Sequence, residues 1–180
     1  ESFDPIRIQR LNYRPYCPYY FYNSEVFIDE DGLSEQIFDS GNNLLISISG
    51  TGSSKKFATL ASDINFSLDL IEKTQGFPLY RYSVSQTSEV SETSEVSKVE
   101  NITDWALGQF KRKYEDGRMN ASREKKSKKD SSFITHPSSL TKEDIFHYVY
   151  AVLHHPAYRA KYEINLKREF PRIPFYEGLG

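Results

Sequence analysis

Between Thr141 and Leu166 the apolar residues recur with a helical period, and no other stretch limits the possible folds so strongly. Thr141 offers a hydroxyl to the free amides of a first turn, and Glu143 and Asp144 place negative charge at the positive end of the helix dipole. Ile145, Tyr148, Val149, Val152 and Leu153 then follow at i, i+3, i+4, i+7 and i+8, which predicts one buried face. His147 lies beside that face, not on it. Pro156 cannot continue the helix but suits the first turn of another, on which Tyr158, Tyr162 and Leu166 fall at four-residue spacing. This second helix should stop before Pro171 and Pro174. The spacing predicts a helical hairpin within 139–180, whose apolar side must be covered by the rest of the chain.

The cover is predicted to be a sheet. Residues 1–82 alternate β-favouring runs with turn formers: Ile6–Ile8, Tyr19–Tyr22 and Val26–Ile28 read as short strands, with Pro15 and Pro18 pointing to an edge. Turns are expected at Asp29–Gly32 and Asp39–Asn43. Leu44–Ser49 is the best strand, alternating at period two in its second half, and Phe57–Ala61 should return beside it after the loop Gly50–Lys56. Phe77–Tyr82 reads as one further strand. The expected class is therefore α+β, a β-rich half followed by a C-terminal helical hairpin packed on the sheet, all within one domain of 180 residues.

Between these halves lie two polar stretches. Residues 83–100 are rich in Ser, Thr, Glu and Val, with a near repeat at Thr87–Glu92 and Thr93–Lys98; six residues is too short a period for a solenoid, so a flexible low-complexity insert is expected. A helix over 101–115, capped by Asn101 or Thr103, should bury Ala106, Phe110 and Tyr114. From Lys111 to Lys129 nine basic residues stand against three acidic ones, a local charge of +6 in a chain whose net charge is −2. Residues 116–138 are read as a solvated basic loop. No apolar run approaches the length of a membrane span, Cys17 is the only cysteine, and the expected location is the cytoplasm. The opening residues already read as structure and lack an initiator Met, so the chain is expected to be cut from a longer polypeptide.

Motifs for chemistry are scarce. Gly50-Thr51-Gly52-Ser53-Ser54-Lys55-Lys56 follows a strand, and its small residues and lysines suit a phosphate, but the spacing is not that of a nucleotide-binding loop; a plain hairpin loop and a DNA-backbone contact remain open. His147, His154, His155 and Cys17 form no paired metal-ligand motif. Glu124-Lys125-Lys126 has an E-x-K shape without a convincing acidic partner, and no G-x-S-x-G elbow activates a nucleophile. Tyr13, Tyr16, Tyr19, Tyr20, Phe21 and Tyr22 surround Arg14; they could stack bases, but strand tyrosines are more often half-buried, and the structural reading is preferred.

Taken together, Asn12–Tyr16, Ile46–Phe57, Phe77–Tyr80 and above all Leu140–Arg159, continued by Tyr162, Leu166 and Phe170–Phe175, resemble the carboxyl-terminal specificity region of type ISP restriction-modification enzymes. These are single chains joining nuclease, translocase, adenine methyltransferase and target-recognition parts. The resemblance covers nearly all the chain apart from about 83–100 and 115–135. It implies a target-recognition domain with no catalytic residue, binding double-stranded DNA beside the methyltransferase domain of the same parent polypeptide. It implies no cofactor in this chain, with S-adenosylmethionine, ATP and Mg serving the parent enzyme. The DNA-contacting residues expected are Arg14, Gly50, Thr51, Gly52, Ser53, Ser54, Lys55, Lys56, Lys111, Arg112 and Lys113. The competing expectation is a structural or protein-interaction domain that docks on the methyltransferase and touches little DNA.

Overall fold

Asp4 and Pro5 decide how the chain enters the fold. In the computed structural model, which describes residues 2–24, 26–28, 37, 43–84, 96–116 and 139–176, the Asp4 carboxylate accepts from the Ile6 amide at 3.0 Å. Pro5 fixes the φ that a tight turn needs, and a 3-10 turn forms at Pro5–Arg7. The strand expected from Ile6 therefore starts at Ile8. β1 (Ile8–Arg14) and β2 (Cys17–Tyr22) form an antiparallel ribbon. Pro18 is accommodated because β2 is an edge strand. The strand expected at Val26–Ile28 is instead a turn, in which the Ser24 carbonyl accepts from the amides of both Phe27 and Ile28. The Asp29–Gly32 turn lies outside the described residues, as does Asp39–Asn43 except for Asn43.

The expected hairpin is present: β3 (Leu45–Ile48) pairs antiparallel with β4 (Thr59–Ser62). A two-residue β5 (Asn65–Phe66) runs parallel to β1, giving the order β2-β1-β5. The expected strand Phe77–Tyr82 is split at Leu79 into β6 (Gln75–Pro78), which joins β3, and β7 (Tyr80–Val84), which belongs to another sheet. The Leu79 amide donates to the Leu44 carbonyl and its carbonyl accepts from the Asn101 amide, so the buried Leu79 is the crossing point between two sheets.

β3 shows no alternation in burial; all four residues are inside. The sheet β4-β3-β6 is covered on both faces. Ile46 and Ile48 meet the C-terminal helices. On the other side Phe66 closes over Gly76 so tightly that a Cβ there would lie 2.5 Å from its ring, with Leu45 at 3.3 Å. Clean alternation requires one wet face, and this strand has none.

The low-complexity stretch is in part ordered. β8 (Val96–Glu100) pairs residue for residue with β7, from Tyr80 opposite Glu100 to Val84 opposite Val96. The pairing runs through the backbone and so needs no apolar run, and the Lys98 ammonium sits 3.5 Å from the Tyr80 ring centroid. Residues 85–95 and the basic stretch 117–138 lie outside the described residues.

α1 (Asp104–Lys111) is capped by Thr103, whose hydroxyl oxygen accepts from the Ala106 amide, and a π turn at Arg112–Asp116 extends it. Phe110 and Tyr114 are buried as expected, while Ala106 is half-buried. α2 (Lys142–His154) has the full capping box of Thr141 and Asp144. Its burial is wider than the single face expected: Phe146, Val152 and Leu153 face one cluster, Ile145 faces Phe110 and Tyr114 in another, and Tyr148 and Val149 are half-buried between them. The Lys142 ammonium lies 2.6 Å from both Glu100 and Asp104, tying the ends of β8, α1 and α2 together. The expected second helix is broken into α3 (Pro156–Lys161) and α4 (Glu163–Arg168) by Tyr162, whose φ of −110° and ψ of 18° are not helical. Tyr158 and Leu166 are nevertheless buried against the sheet, with Tyr162 half-buried beside them.

Candidate nucleic-acid interface

The loop Gly50–Lys56 between β3 and β4 is held by partners far away in the chain. The Gly50 amide donates to the Glu72 carbonyl at 3.1 Å, and a Cβ on Gly50 would fall 2.0 Å from the Lys73 carbonyl oxygen. Gly50 is thus needed for close approach of two backbones. Gly52 adopts a left-handed φ of 74°, its amide donates to the Lys167 carbonyl at 2.9 Å, and its own carbonyl accepts from the Lys73 ammonium.

The remaining polar groups converge on one carboxylate. Glu72 accepts from the Ser53 hydroxyl at 2.6 Å, the Ser54 hydroxyl at 2.9 Å, the Ser54 amide at 3.2 Å and the Lys55 amide at 3.1 Å. These donors, led by the Ser53 and Ser54 hydroxyls, lower the Glu72 carboxyl from 4.5 to about 2. The expected cradle of backbone amides for an anion does exist, but its occupant is Glu72. The amides of Gly50, Gly52, Ser53, Ser54 and Lys55 all have internal acceptors, so a phosphate would not be met by these amides. Side chains remain for the role: exposed Lys55, Lys56 and Thr51 on the loop, with exposed Lys73 and Arg168 and half-buried Lys167 on the segments bonded to it. Only the first three could be suspected from local sequence, because the others arrive through tertiary contact.

Glu72 makes the loop acid-sensitive. A depressed carboxyl stabilises the fold above its unfolded value of 4.5, and this contribution is lost as pH falls through about 2. The protection of the Ser54 and Lys55 amides relative to their intrinsic exchange rates is expected to fall across that window in the wild type. In Glu72→Gln it should be low already at neutral pH; equal protection in both proteins would contradict the assignment.

The other expected contact residues lie on separate elements. Arg14 ends β1, exposed, with its guanidinium donating to the Asp69 carbonyl and lying 4.7 Å from the Tyr13 ring centroid. Lys111, Arg112 and Lys113 form the end of α1 and the start of the π turn, Lys111 half-buried and the other two exposed. The preference for a buried role for the tyrosines is overturned for four of them. Tyr16 is 92% exposed, Tyr20 72%, Tyr19 57% and Tyr13 44%, whereas Phe21 and Tyr22 are half-buried. Their sheet has too few strands and too little opposing mass to cover the outer face of an edge ribbon.

Among the described residues no group of three or more His, Cys, Asp or Glu side chains could hold a metal ion. No helix among them is long and apolar enough to cross a membrane.

Comparison with known proteins gives a consistent family. The cryo-EM structure of a DrdV–DNA complex matches with a TM-score of 0.75 and 40% identity over 98% of this chain and 15% of that one. A nuclease-deletion mutant of the Type ISP restriction-modification enzyme LlaGI, in complex with a DNA substrate mimic, matches with a TM-score of 0.66 and 25% identity over 97% of this chain and 12% of that one. The ATP-dependent Type ISP enzyme LlaBIII bound to DNA shares the fold, with a TM-score of 0.74 at 23% identity over 99% of this chain and 10% of that one. The chain therefore spans only a small part of the length of these relatives. No curated protein matches it. The family described as the Type ISP C-terminal specificity domain matches residues 1–178, and the chain belongs to that family.

Proposed function

We propose that this domain recognises a sequence in duplex DNA for a single-chain restriction-modification enzyme, holding the duplex while other parts of the polypeptide carry out N6-adenine methylation and cleavage. S-adenosylmethionine, ATP and Mg belong to those parts in this reading, and the methyltransferase is the domain's neighbour. The observation that supports it best is the loop at Gly50–Lys56, rigidly anchored yet presenting Lys55 and Lys56 outward beside Lys73, Lys167 and Arg168. Lysines on a fixed backbone neutralise phosphates and release counterions without selecting a sequence.

Replacing Lys55 and Lys56 together by alanine is expected to weaken binding to all duplexes alike, and to flatten the slope of log affinity against log salt by about 0.9 per lost phosphate contact. The fold should persist, since neither ammonium supports the Glu72 cluster. Duplex affinity at several salt concentrations measures this, and an unchanged slope would reduce the loop to a structural hairpin.

A second reading, docking on the methyltransferase, is favoured by one feature. Phe3, Ile8, Tyr20, Phe21, Tyr22, Val26 and Phe27 line an apolar cleft of about 570 Å³ at the base of the β1–β2 ribbon. A domain used only for docking would bind duplex without steep salt dependence, or not at all.

A further inference from the structure

The opposite end of the same ribbon has a different character. Between Ile8 and Tyr22 there are two arginines, Arg10 and Arg14, and no acidic residue. The tip is braced on one side: Ser67 donates through its amide to the Asn12 carbonyl at 3.0 Å and through its hydroxyl to the Tyr13 carbonyl at 2.9 Å, and Arg14 donates to the Asp69 carbonyl. A register shift between Asn12 and Arg14 turns Tyr13 outward, where it meets Tyr19 edge to face at 5.7 Å and carries the Arg14 guanidinium. Beyond these residues projects Tyr16. It has a left-handed φ of 60°, a conformation suited to Gly or Asn and strained for tyrosine, and it is the most exposed large apolar residue described in the chain. Folding gains nothing from a tyrosine there. A large aromatic group held at a strained position on a stiff support, on a ribbon that carries two arginines and no acidic residue of its own, with Asp69 at the brace beneath Arg14, fits a polyanion whose interior is flat and apolar.

Resting on the function proposed above, we propose that the β1–β2 ribbon enters the major groove of the target duplex, with Tyr16 packed against base edges and Arg14 beside the backbone. A two-stranded ribbon has the width that the major groove admits. The ribbon is distinct from the lysine loop in what it contributes: the loop holds phosphates, and the tip discriminates sequence.

The test starts by letting the 180-residue chain enrich duplexes from a pool with a randomised central segment, then measures affinity for an enriched duplex and for the unselected pool. Tyr16→Gly relieves the left-handed strain, so its melting temperature should stay the same or rise. Its affinity for the enriched duplex should fall about tenfold or more, with little change for the unselected pool and an unchanged salt slope. Tyr16→Asn, also at ease in that conformation, should behave alike. If both variants bind the enriched duplex as the wild type does, the ribbon does not read DNA and its aromatics belong to a protein contact. If the wild type enriches no sequence, target recognition itself fails and this inference with it; an unchanged salt slope in the Lys55, Lys56 variant counts against the loop alone.

Discussion

Tyr158→Ala is expected to cost about 3–5 kcal/mol of folding stability, a large fraction of what a domain of this size commands. Tyr158 is 1% exposed and packs among Ile46, Ile48 and Leu79 from the sheets and Phe146, Val152, Leu153 and Leu166 from the helices. Truncation would open a cavity at the junction of these elements, and two short helices have little other means of staying in place. The hydroxyl contributes separately, donating to the Arg172 carbonyl at 3.0 Å. Tyr158→Phe keeps the ring and should lose only about 1 kcal/mol. Urea unfolding of both variants measures the difference, and similar losses would mean that the hydrogen bond, not the packing, holds the helices.

Gly50→Ala is expected to be damaging too, although it adds a single methyl group. The new Cβ would stand 2.0 Å from the Lys73 carbonyl oxygen and 2.7 Å from the Lys73 Cβ. Neither can yield cheaply, because Lys73 already has a left-handed φ of 48° and the adjoining Glu72 is bound to Ser53, Ser54 and Lys55. Overpacking of this kind costs about 1–3 kcal/mol. The displaced backbone would also pull Glu72 from its donors, so its carboxyl should titrate near the ordinary range. Carboxyl NMR together with thermal unfolding reports both effects. Gly108→Ala is the control: a Cβ there meets nothing within 4 Å, and in the middle of α1 it should stabilise by about 0.5–1 kcal/mol. A Glu72 titration unchanged in Gly50→Ala would show that the loop can slide away from the bend at 72–73.

What could be read from the residues in order was whatever depends on neighbours in sequence. The Thr141 capping box, the break at Pro156, the hairpin of β3 and β4 and the cap at Thr103 are local, and each is found. Features set by distant partners were hidden. Glu72 reaches donors 17 to 19 residues away, and nothing around it marks an acid destined for a loop of serines. β8 was hidden by its polarity, and the split at Leu79 by a hydropathy pattern that does not record which sheet a strand joins. The tyrosines of the first ribbon show the same limit, since their composition suits a core and a binding surface equally, and only the number of neighbouring strands decides between them. For the candidate site, Arg14, Lys55 and Lys56 could be suspected from sequence, but the anchoring of the loop and the exposure of Tyr16 could not.

The bond from the Gly52 amide to the Lys167 carbonyl has a consequence for recombining such domains. An exchange of residues 1–82 between two relatives, attractive as a way to transplant specificity, would cut through the packing of Ile46 and Ile48 on Phe146, Leu153 and Tyr158 and would leave the loop resting on a foreign α4. The inherited unit is the sheet together with its closing helices. A chimaera that swaps only the tip, from Tyr13 to Pro18, crosses two strands of one ribbon and none of these joints.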